Sequence, residues 1–254
     1  MVGQEQIAPV TVVDDLQISD LRAALAAGWR DFRTYPIFGL FFAAIYVSAG
    51  IFLYVALFNW GAAAWLIPAA AGFPLLAPFT AVGLYEVSRR REAGLPMSWR
   101  AVLGALRGHG DDQIINMGVI LFVAFGFWLM VAHGIFAVFL AESGLGSESL
   151  ELFQTRAGIL MLLVGGAVGA LMALGFYAIT VVSLPMLVDR EVDFLTAIIV
   201  SLGTVRSNSF VILIWAVWIA ISLFIAMVPM FLGLLVVLPV LGHATWHLYR
   251  RTVL

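Results

Sequence analysis

No Asp, Glu, Lys or Arg occurs from Thr34 to Tyr85, from Gln113 to Ala141, from Ala157 to Val188 or from Ser207 to Tyr249. A helix that crosses the hydrocarbon layer needs about 20 apolar residues. The first and last stretches therefore predict two spans each and the middle two predict one each. The six expected spans are Ile37 to Phe58, Ala62 to Leu84, Ile115 to Leu140, Gly158 to Leu184, Ser209 to Met227 and Met230 to Tyr249. Asn59-Trp60-Gly61 and the turn at Pro229 allow only tight antiparallel hairpins in the first and last pairs. Between the third and fourth spans, AESGLGSESLELFQTR is acidic and rich in Ser and Gly, with a short surface helix expected near its end.

Before each odd-numbered span lies a segment that mixes apolar anchors with arginine: LRAALAAGWRDF from Leu21, WRAVLGALRGHG from Trp99 and LTAIIVSLGTVR from Leu195. At matching offsets they place Leu21, Trp99 and Leu195, then Ala23, Ala101 and Ala197, then Leu25, Leu103 and Ile199. Anchors four and seven residues apart share one helical face. Each segment reads as an amphipathic helix lying at the interface, apolar side toward acyl chains and arginines toward headgroups. Ser19, Ser98 and Asp193 are the expected N-caps. The fold class is all-α integral membrane: six transmembrane helices with three interfacial helices, arranged as a threefold repeat over residues 19–95, 96–191 and 192–254 behind a flexible tail of residues 1–18.

Composition agrees with the pattern, since 63% of the residues are hydrophobic and only 11% charged, and the mean hydropathy is +1.06. A chain of that make-up cannot present a water-compatible surface around an ordinary core. All 13 basic residues are Arg, and the six-span topology puts every one except Arg156 on a single side. By the positive-inside bias that side is cytoplasmic and holds both termini. The absence of Lys beside abundant Ala and Gly points to a bacterial inner membrane. The acidic first residues lack the basic start and apolar core of a signal peptide. Cysteine is absent, which excludes disulfides, thiolate metal sites and cysteine nucleophiles.

Chemistry is sparse. No Walker loop, dinucleotide fingerprint, HExxH or GxSxG is present, and the arginines are explained by topology, so neither an enzyme nor a nucleic-acid partner is expected. Asp, Glu and Arg are absent from the middle of every expected span, and His133 is the one titratable side chain deep in the third, which argues against an ion-driven pump. Pro68, Pro74 and Pro78 interrupt the second span; they predict either a kinked helix or exposed carbonyls at a substrate path. In the fourth, Gly165 and Gly169 have the spacing that permits close helix approach. His243 and His247 share one face about 6 Å apart along the helix. They read either as interfacial anchors ahead of Arg250 and Arg251 or as a metal pair with Glu86 or Asp189 as third ligand. A haem shared with His133 is excluded by depth. The acids of VDREVD read as capping and solvation.

GWRDF with YPIFGL, VGLYEVSRRRE, VVSLPMLVDREVDFLTAI and VLPVLGHATWHLYRR together resemble the bacterial integral membrane proteins catalogued as domain of unknown function 2189. The resemblance runs from about Ile18 to the C-terminus and implies no established activity. Labels on some members naming the catalytic subunit of cytochrome c oxidase do not suit a chain with four histidines; they suggest a respiratory association at most. The expected function is that of a non-enzymatic accessory or assembly partner of a larger membrane complex, with the bilayer and other membrane subunits as partners and no cofactor. A transporter or channel for a small or lipophilic solute is the alternative.

Overall fold

The computed structural model describes residues 11–60, 77–107, 112–143 and 150–254. It is all-helical: α1 (Ile18–Thr34), α2 (Pro36–Asn59), α3 (Ala77–Thr80), α4 (Val82–Glu92), α5 (Trp99–Gly104), α6 (Gln113–Ser143), α7 (Arg156–Thr180), α8 (Ser183–Asp189), α9 (Phe194–Ser207), α10 (Ser209–Met227) and α11 (Leu234–Thr252). Short 3-10 turns at Ala105–Arg107 and Leu150–Gln154 join them; the second falls where the sequence predicts a surface helix. Among the described residues, four helical segments are long and apolar enough to cross a membrane: Pro36–Asn59, Gln113–Ala141, Arg156–Asp189 and Ser209–Met227. Two expected spans are not among them. Most of the second, with Pro68 and Pro74, lies outside the described residues. The sixth is α11, whose second half, HATWHLYRR, is too polar to qualify.

The core sits at the arginine-bearing ends of the helices. Leu84, Ile114, Met117, Leu184, Met186, Ile212, Trp215, Trp246 and Tyr249 are fully or almost fully buried there. Elsewhere the spans turn bulky apolar residues outward, among them Phe52, Phe122, Leu171 and Phe224. Such exposure is expected where lipid, not water, covers the surface.

The three helices between charged and apolar segments form where the sequence places them, but they do different things. Ser98 and Asp193 cap α5 and α9, accepting from the backbone N–H of Ala101 and Thr196 at 3.3 and 2.8 Å. On α9, Leu195, Ile199 and Leu202 are exposed, as an interfacial helix requires. In α1, however, Ser19 is not the cap. Gln17 stands there, its backbone N–H donating to Asp20 Oδ2 at 2.9 Å. Nor does α1 lay its apolar side on the bilayer: Leu21, Ala24, Gly28, Asp31 and Phe32 are buried, and the helix packs along α11. A Cβ on Gly28 would stand 2.6 Å from the backbone nitrogen of Ala244 and 2.7 Å from the carbonyl oxygen of Val240. Only glycine permits that crossing.

The chain ends support the same docking. Val12 pairs antiparallel with Val253, Val13 N–H donates to the Thr252 carbonyl at 3.0 Å, and Leu254 N–H to that of Thr11 at 3.0 Å. Asn208, buried at the start of α10, donates to the Val13 carbonyl at 2.7 Å and accepts from Leu16 N–H at 3.1 Å. Residues 11–16, expected in a flexible tail, are thus held at both ends. A Cβ on Gly169 would lie 2.8 Å from the Trp128 ring of α6, and one on Gly165 would lie 3.8 Å from Ile135.

Candidate functional site

Where α1, α4 and α11 converge, a polar cluster is sealed inside the core. Asp31 of α1, Ser88 of α4 and His243 of α11 have no exposed surface. Asp31 is the centre. It accepts from the Ser88 hydroxyl at 2.6 Å, from the Arg91 guanidinium, and from His247 Nε2 at 2.8 Å. His247 Nδ1 lies 3.1 Å from Glu92 Oε1, so both ring nitrogens meet a carboxylate and the ring serves them best as a doubly protonated cation. With its proton on Asp31, Ser88 accepts from His243 Nδ1 at 2.8 Å. His243 Nε2 then carries a lone pair with no hydrogen bond among the described residues.

Opposing forces act on the acids. Burial would push the Asp31 carboxyl up, but the hydrogen bonds from His247 and Ser88 prevail and hold it at about 2. Glu92 is likewise lowered, burial being outweighed by its bond from His247 and the nearby Arg250. A second layer rings the cluster. Arg250 reaches Asp189 at 2.9 Å and Glu92 at 3.4 Å, and Tyr249 donates to Asp189 at 2.8 Å. Arg89 grips Glu86 through Nε and Nη2 at 2.7 and 3.0 Å, with Arg90 adding a contact at 3.2 Å.

His243 and His247 lie one turn apart on α11 with protein partners, and the neighbouring Trp246 and Tyr249 are buried, so this stretch is not set in lipid as the expected interfacial anchor. The candidate third ligands, Glu86 and Asp189, are engaged by arginines and a tyrosine. A metal on His247 would have to displace Asp31 or Glu92 from the imidazole. Among the described residues, no group of three or more His, Asp or Glu side chains is placed to hold a metal ion. Serine, histidine and aspartate are adjacent, yet not as a nucleophile relay: the Ser88 proton points to the carboxylate, and no solvent reaches the hydroxyl. What the cluster does is neutralise charge while fastening three helices. Asp193 caps its helix, as read from the sequence.

Asp31, Ser88, Arg91 and Glu92 are the residues sequence reasoning missed. One signal was present. Leu21, Ala24, Gly28 and Asp31 fall on one helical face, so the acid stands on the apolar stripe and not on the arginine face.

A second feature lies on the other side of α11. An apolar cavity of about 530 Å³ runs between α7 and α10, floored by α4 and α11, with Ala77 and Pro78 of α3 at one edge. Of the expected helix-breaking prolines, Pro78 thus borders a cavity, while Pro68 and Pro74 are outside the described residues.

Residues 66–189 match the family model described as "Predicted integral membrane protein (DUF2189)". No curated protein and no solved structure matches the chain.

Proposed function

We propose that this integral membrane protein, which carries a domain of unknown function, is a non-enzymatic partner within a larger membrane assembly. It docks through α7. The supporting observation is how little of α7 its own chain covers: 6% of that span's apolar window is buried, against 22 to 33% in the other three. Leu160, Val164, Ala167, Leu171 and Gly175 recur at helical spacing on one exposed face of α7. A Cβ on Gly175 would meet nothing within 4 Å. Small residues on an open face favour close approach of a second helix. The reading includes six spans in threefold repeat, both termini on the arginine side, and a bacterial inner membrane, with a respiratory complex as the assembly the family resemblance suggests.

Native-complex mass spectrometry after mild-detergent extraction at native expression tests it. A co-purifying larger complex is expected, and Gly175→Leu, which the isolated chain accommodates, should release it. Recovery of the wild-type protein alone would overturn the proposal. A second reading, passage of a small lipophilic solute, is supported by the cavity beside Pro78. Liposome flux left unchanged by Pro78→Ala would remove it.

A further inference from the structure

We propose that the cavity between α7 and α10 binds one acyl chain of a phospholipid from the arginine-side leaflet, with the ester carbonyl accepting a hydrogen bond from Tyr85. This depends on neither docking nor solute passage.

Small side chains make the space: Ala173 on α7 and Ala216 and Ala220 on α10 line it where larger residues would close it. At about 530 Å³ it lies within the range that takes a single small ligand. Its entrance faces the bilayer. Leu174, Leu213, Val217 and Phe224 line it and are themselves exposed, on helices apolar enough to span. A ligand entering there arrives from lipid and not from water.

The polar groups lie toward one end. Three of the four lining hydroxyls are spent on backbone carbonyls: Thr180 on Phe176 at 2.7 Å, Tyr177 on Ile212 at 3.0 Å and Thr245 on Leu241 at 2.8 Å. The fourth is not. Tyr85 is 3% exposed, lines the cavity, and its hydroxyl has no hydrogen bond to the described residues. A phenol donor at an apolar cavity favours a ligand that offers an oxygen at this point and apolar surface elsewhere. Depth identifies the oxygen. Tyr85 immediately precedes the Glu86–Arg89–Arg90 ion pairs, which mark the interfacial layer where ester linkages lie. From there the lining runs from Thr180 back to Ala170 along α7, about 15 Å at 1.5 Å per residue, toward the apolar end at Met227.

The test uses the full chain in nanodiscs of ester phospholipid doped with a phospholipid carrying a diazirine on one acyl chain. Cross-links are expected on α11 around Gly242, which no lipid on the outer surface touches, and Ala216→Phe should reduce them at least fivefold. Native mass spectrometry supplies the second arm. An ester phospholipid should be retained about fivefold more than its diether analogue, one hydrogen bond's worth, and Tyr85→Phe should erase that preference without changing the unfolding temperature. Cross-links confined to exposed positions such as Leu171 and Phe210 would overturn the site. An ester preference that survives Tyr85→Phe would overturn the role of the phenol.

Discussion

Replacing Asp31 by asparagine removes one charge from the centre of the polar cluster and keeps its shape. The carboxylate accepts three hydrogen bonds, two of them from Arg91 and His247. The amide offers one acceptor and sets an N–H₂ against donors. Breaking a buried pair by deleting one partner costs about 3–5 kcal/mol. Here His247 retains Glu92, and Arg91, with 34% of its side chain exposed, can turn toward water. The lower figure, about 3 kcal/mol, is therefore expected. It should appear as opening of α1 from α11 and not as global unfolding, because the rest of the core makes no use of Asp31. Amide exchange in residues 18–34 measures it directly: at 1.4 kcal/mol per decade, exchange should accelerate about a hundredfold. A double-mutant cycle with Arg91→Gln should give a coupling of at least about 1 kcal/mol. Acceleration of less than threefold, with no coupling, would refute the claim that this cluster fastens the first helix.

Three further perturbations address the same docking. Gly28→Val drives a side chain into the backbone of Val240 and Ala244; a loss of more than about 2 kcal/mol is expected, read as protease cleavage within α1 while the spans stay intact. Asn208→Ala deletes the ties to Val13 and Leu16 and leaves a part-buried carbonyl and a buried amide unpaired. It should cost about 1–3 kcal/mol and raise exchange at Val13 and Leu16. In acid, Asp31 has a folded value near 2 against an ordinary 3.8. The depression contributes on the order of 2 kcal/mol above pH 4, which is lost as pH falls toward 2. The α1 amides of wild type should lose protection across that window, and those of Asp31→Asn should not respond.

The spans were legible because a run of apolar residues without charge has one stable home. Ser209–Met227 falls on the expected residues, and α2 and α6 within a few. The role of α1 was not, because amphipathicity shows that one face is apolar and not what covers it. The same pattern leaves apolar residues exposed in α9 and is covered by protein in α1. Gly28 decides between them, since a residue that admits another backbone has no use against fluid acyl chains. His243 and His247 were legible as a pair, being one turn apart. Their partners were not: Ser88 is 155 residues from His243 and Asp31 is 216 from His247, and only the fold brings them within reach. Glu86 was a sensible ligand candidate by depth, yet two arginines within four residues of it on the same helix compete for the carboxylate and win.

The meeting of α1 with α11 also dictates an order of events in biosynthesis. Asp31 leaves the ribosome 216 residues before the histidine that neutralises it, a delay on the order of ten to forty seconds at ordinary elongation rates. Ser88 and Arg91 follow Asp31 within 60 residues, but α11, along which α1 packs, is still to come. Synthesis of α11 brings His247 to Asp31 and covers the apolar stripe of α1, so docking of the first helix follows insertion of every span between them.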